Sequence, residues 1–141
     1  MKRVMSYLSI ALMAFFIAAC SSPTNNPSVS ADDIIAAFKE AGLEAENARD
    51  MTKDDYGMAP MKAKEAKRFF VPSLGENAGG RLFIFDNQKD LEDTKKYYDE
   101  LGKQSAMFFS WTYAKGNILI QMNGDMEESQ FNKYKEVLDK F

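Results

Sequence analysis

The chain has 141 residues with 21 acidic against 18 basic side chains, a formal charge of −3, no histidine and one cysteine. Without histidine, Ser-His-Asp and Cys-His catalysis and His-ligated zinc are excluded, and a lone cysteine can form no internal disulfide. The acidic balance disfavours nucleic acid or an anionic bilayer as the main partner, because phosphate binding needs a basic surface.

The chain opens with Lys2 and Arg3, continues through a nearly unbroken apolar run from Val4 to Ala19, and closes it with Ile17-Ala18-Ala19-Cys20. That run is shorter than the about 20 apolar residues of a comfortable membrane-spanning helix. Its ending resembles the lipobox of bacterial lipoprotein signal peptides, in which a branched aliphatic and two small residues precede the cysteine that becomes the mature N-terminus. The resemblance covers only this export segment. It implies cleavage before Cys20, a diacylglyceryl anchor on its thiol, and residence at the extracytoplasmic face of the cell membrane. Ser21 is not the aspartate that retains many lipoproteins at the inner membrane, so an outer membrane is expected if the source has two. Loss of Lys2 and Arg3 leaves 16 basic against 21 acidic residues, a formal charge of −5. The expected organisation is a signal peptide over 1–19, a lipidated cysteine and disordered tether over 20–30, and a single domain over 31–141.

Ser30 with Asp33 three residues on reads as a helix start, and Asp32 and Asp33 suit the positive end. Ile34, Ile35, Phe38 and Ala41 give this helix one apolar stripe, Gly42 is placed to end it, and Leu43 to Ala45 read as the start of a short strand. Residues 46–61 show no periodicity and read as a long loop that is functional or packed by its own side chains. Lys62, Lys64, Lys67 and Arg68 read as the solvated face of a short helix begun at Pro60, in preference to an anion site. Strands follow at 68–72 and 81–85, joined by a glycine-rich turn.

Leu82, Ile84, Asn87, Tyr98 and Leu101 recur as Ile118, Ile120, Asn123, Tyr134 and Val137 at a constant separation of 36, and Phe69-Phe70 answers Phe108-Phe109 at 39. The pattern is either an internal duplication or a chance likeness of two strand-strand-helix segments. In both cases a hairpin precedes an amphipathic helix. Asn87 with Asp90 and Asp125 with Glu128 serve as helix starts; Leu91, Tyr98 and Leu101 line one helix, and Phe131, Tyr134, Leu138 and Phe141 line the other. The expected fold is α+β: a four-stranded antiparallel sheet from two strand-strand-helix units, both helices on one face, plus an N-terminal helix.

A strand over 106–114 sets Met107, Phe109, Trp111 and Tyr113 on one side, opposite Phe108, Ser110, Thr112 and Ala114. If the helices cover the aromatic side it is core; if they cover the other, the first helix or a ligand must cover it. Adjacent acids at 32–33, 54–55 and 127–128 point about 100° apart if helical, and two of the pairs sit where helix starts want negative charge, so structural roles are preferred to catalysis. Asp86, Asn87, Asp90, Asn123 and Asp125 lack the order of a calcium loop, so no metal, cofactor or catalytic residue is assigned. The expectation is a lipid-anchored, non-catalytic binding or interaction module. Its partner is a protein, peptide or cell-wall component, met by Phe109, Trp111 and Tyr113 or by the loop at Tyr56 and Met58. The alternatives are a carboxylate-dependent cell-envelope hydrolase, in which Asp54 or Asp55 would meet another acid in a cleft, and a structural or stress-related envelope lipoprotein. In architecture the domain is similar to small Gram-positive lipoproteins, a likeness that carries no functional residue.

Overall fold

Five strands, one more than the sequence suggests, make up the sheet in the computed structural model, which describes residues 28–141. The expected signal peptide, Cys20 and most of the expected tether lie outside the described residues. In chain order the elements are α1 (Ala31–Glu40), β1 (Glu46–Asp50), the single turn α2 (Lys53–Tyr56), β2 (Glu65–Phe70), β3 (Gly79–Ile84), α3 (Gln88–Gln104), β4 (Ser110–Lys115), β5 (Ile118–Asn123) and α4 (Glu128–Leu138). The strands lie side by side as β1-β2-β3-β5-β4, every neighbouring pair antiparallel. The α+β class and the two strand-strand-helix units follow the sequence reading; the strand count and the placement of the helices correct it.

The helices do not share a face. Leu82, Ile84, Ile118, Ile120 and Met122 point towards α1 and α4, into a core with Phe38, Phe69, Phe131 and Tyr134. Phe83, Phe85 and Leu119 point the other way, towards Leu91 and Tyr98 of α3. The cause is visible in the central strands: β3 and β5 are apolar at consecutive positions rather than alternate ones, so both of their faces need cover. A two-fold axis relating antiparallel neighbours stands normal to the sheet and keeps equivalent helices on one side. With α3 and α4 on opposite sides, and Phe69 buried where Phe108 is exposed, the 36-residue match does not extend to a duplicated fold.

Local signals explain the elements. At α1 the Ser30 hydroxyl accepts from the Asp33 amide at 3.1 Å while the Asp33 carboxylate accepts from the Ser30 amide at 3.0 Å, and Gly42 leaves the helix at φ +75°. Asn87 caps α3 by accepting from the Asp90 amide at 3.0 Å. At α4 the cap position is Glu127 rather than Asp125, whose amide turns back to Asn123. The stretch read as a loop contains β1, an exposed edge strand with an irregular register between Glu46 and Arg49, and then α2. The short helix expected to begin at Pro60 is replaced by irregular chain leading into β2. Lys62 pairs with Asp90 and Asp93, Lys67 with Asp32 and Asp50, and Arg68 stands on the opposite side of β2 from Lys67. The strand expected over 106–114 is a 3-10 turn at Ala106–Phe108 followed by β4.

Candidate functional site

On the α3 side of the sheet, pairing sets Arg49, Arg68, Arg81, Gln121 and Thr112 in one row across all five strands. The ends of the row are compensated. Arg49 grips Asp55 through both nitrogens at 2.6 and 3.0 Å, and the Thr112 hydroxyl donates to Asp99 at 2.5 Å. The middle is not: Arg68 and Arg81 stand directly opposite one another, and among the described residues neither forms a salt bridge. Like charges facing each other across a strand pair are destabilising.

Neutral acceptors hold the two guanidiniums in place. Arg68 donates to the carbonyls of Phe69, Gly80 and Asn77 and lies 4.9 Å over the Phe70 ring. Arg81 donates from Nε to the Asp55 carbonyl at 2.9 Å and from Nη1 to the Gln121 side chain at 2.8 Å. Burial, and then the charge of Arg81, push the Arg68 pKa down from its ordinary value against the opposing charge of Asp55, yet an arginine remains protonated.

These side chains line a cleft of about 370 Å³ between α2, the sheet, α3 and the 3-10 turn before β4. Tyr98 and Ser110 also line it, and the hydroxyls of both are buried without a hydrogen-bond partner. Buried polar atoms are rarely left so, which makes each a feature needing a cause. Burial pushes the Tyr98 hydroxyl up to about 12, so it stays a donor through the physiological range. The rim is apolar: Met107, Phe108 and Phe109 are 85%, 56% and 42% exposed.

The acids at the cleft are Asp54 and Asp55. The Arg49 guanidinium, with the Thr52 amide and hydroxyl, holds the Asp55 carboxyl well below the usual carboxylate range, so it is ionised at neutral pH and has no proton to deliver. A carboxylate depressed on folding adds stability that is full above its unfolded pKa of about 3.9 and is lost progressively as pH falls from there through its lower folded value. Denaturant midpoints should therefore place the wild-type chain above Asp55→Asn at about pH 6, with the gap closing below about pH 4. A gap of constant size down to about pH 2 would show that the Arg49 link adds nothing.

Of the residues singled out from sequence, the structure brings Tyr56 and Phe109 to this cleft. Met58 is 88% exposed and not part of its lining. Trp111 and Tyr113 pack on the opposite face: the indole stacks on Phe131 with ring centres 5.5 Å apart and donates to the Met126 carbonyl at 2.8 Å, and the Tyr113 hydroxyl donates to Asp139 at 2.5 Å. Cys20 lies outside the described residues. Sequence reasoning missed Arg81, Tyr98 and Ser110 as site residues, and set Arg68 aside as part of a solvated basic cluster in preference to an anion site. The available signal was Arg81 itself, a charge inside the otherwise apolar run from Leu82 to Phe85 and its glycine lead. No protein-family model, curated protein or solved structure matches the chain.

Proposed function

We propose that the chain is an extracytoplasmic lipoprotein, anchored to the membrane through acyl chains on Cys20, whose domain is a non-catalytic binding module with the Arg68–Arg81 cleft as its binding surface. The observation that carries binding is the opposed arginine pair, neither member in a salt bridge among the described residues, in a concave site with two unpartnered hydroxyls. What favours it over a carboxylate-dependent hydrolase is the state of the acids. Asp55 engages Arg49 with both oxygens, and Asp54 is its exposed neighbour on the same helical turn, so the lining offers no second carboxylate across the cleft for paired acid-base work. The anchor rests on the lipobox-like run; two acyl chains at about 0.8 kcal/mol per buried methylene hold a protein durably, where one holds it only marginally.

The test uses the full chain in cells. Wild type should take up a fatty-acid label and sediment with membranes, whereas Cys20→Ala should lose the label. Labelling of the variant, or an unlabelled soluble wild type, would sink the anchor. Trp111 reports on the cleft because it stands edge-on to Phe109 at 5.0 Å. Its emission should change saturably when the purified chain is titrated with soluble envelope extract, and an unresponsive emission counts against the binding surface.

A further inference from the structure

Resting on that reading of the cleft, we propose that its ligand is an oxyanion-bearing small molecule or chain end: a carboxylate or phosphate on an apolar body, the oxygens held by Arg68 and Arg81 and the body laid against Met107–Phe109.

The charge distribution asks for an anion. The described residues include three arginines, and Arg49 alone is paired with a carboxylate. Lysines elsewhere on the surface, among them Lys62, Lys67, Lys89, Lys95 and Lys103, sit against acids. Asp54 and Asp55 share the lining, but Asp55 is turned to Arg49 and Asp54 is exposed, so the two adjacent guanidiniums have no carboxylate in contact and keep donors free for an anion. A structural role in tying carbonyls together explains the donors but leaves both charges without a use, and the opposed pair costs stability that a neutral donor at either position would avoid.

The hydrogen-bond inventory agrees. Each guanidinium has five N–H donors. Three on Arg68 and two on Arg81 meet neutral acceptors, so both retain donors for the forked geometry that carboxylate and phosphate share. The Tyr98 and Ser110 hydroxyls are further unpartnered groups in the same walls. A cleft of about 370 Å³ falls at the small end of ligand sites, which run from about 300 to 1,000 Å³, and so suits a compact group rather than a folded partner.

The experiment titrates the full chain, purified in detergent, with phenylacetate, phenyl phosphate and the neutral phenylacetamide, following Trp111 emission and heat. At least one anion should bind saturably and about ten-fold or more tighter than phenylacetamide, and its binding should weaken in about 0.5 M salt. The tighter of phenylacetate and phenyl phosphate identifies the oxyanion. Arg81→Gln should weaken that anion by about ten-fold or more while melting no lower than wild type without ligand. Should the variant fail to fold, the wild-type contrast between phenylacetate and phenylacetamide still decides. Equal binding of phenylacetamide, or anion binding untouched by a folded Arg81→Gln, overturns the anion assignment and leaves the binding reading in place. No saturable response to any probe also overturns it, and the extract titration then judges the binding reading by itself.

Discussion

Replacing Phe38 by alanine should destabilise the domain by about 3–5 kcal/mol, the range for deleting a buried aromatic ring. Phe38 is fully buried, its ring centre 5.0 Å from that of Tyr134 in an edge contact and 5.9 Å from that of Phe69. It therefore joins three elements: α1 carries it, α4 carries Tyr134 and β2 carries Phe69. Close packing leaves neighbours unable to collapse fully into the space, so a cavity term adds to the lost transfer energy. Against a typical total of about 5–15 kcal/mol the loss is a large share. Urea unfolding measures it, with Phe108→Ala as the comparison: Phe108 is exposed and its truncation should stay within about 0.5 kcal/mol. Equal midpoints for the two variants would remove Phe38 from the core.

Gly79→Ala should be the second severe change, for the opposite reason. A methyl group there would stand 2.1 Å from the Phe69 carbonyl oxygen and 2.7 Å from the Phe70 Cα. Both are backbone atoms, so no side chain can swing aside, and the β2–β3 hairpin must shift. Overpacking of this kind costs about 1–3 kcal/mol and sometimes more. Gly79 also lines the cleft beside Arg68, so the shift should reach the binding surface. Gly116→Ala makes the control. Gly116 has φ +56° in the β4–β5 turn with open space around it, so its cost is the left-handed backbone alone, about 1–2 kcal/mol. Thermal melts that place Gly79→Ala at or above Gly116→Ala would refute the close approach.

Helices were legible where two signals coincided. Ser30 with Asp33 and the Ile34-Ile35-Phe38 stripe located α1 almost to the residue, and Asn87 located the start of α3. β1 was not legible because Glu46-Asn47-Ala48-Arg49-Asp50 has no apolar alternation: an edge strand with both sides exposed needs none, and charge protects it from pairing further. The covering of both sheet faces is written in the unbroken apolar runs Leu82 to Phe85 and Ile118 to Ile120, of which Leu82, Ile84, Ile118 and Ile120 mark only one side. The cleft was the least legible part. Arg68 looked like one more lysine-like charge in a basic cluster, and only the hairpin register puts it opposite Arg81. Register depends on a turn whose geometry the sequence did not reveal, and a slip by one residue would have turned Arg68 to the other face.

The first helix leans on the last. Ile34 and Phe38 share a core with Phe131, Tyr134 and Leu138, and the Tyr134 hydroxyl donates to the Glu44 carbonyl at 2.7 Å across 90 positions of sequence. As the chain emerges from its N-terminal end, α1 is delivered early but has nothing to bury its stripe against until α4 arrives. The central strand β3 likewise waits for β5. Contacts of such long range form late, so a partial chain cannot lock into the native arrangement. In the export we propose, that delay would keep the chain threadable until α4 has crossed the membrane.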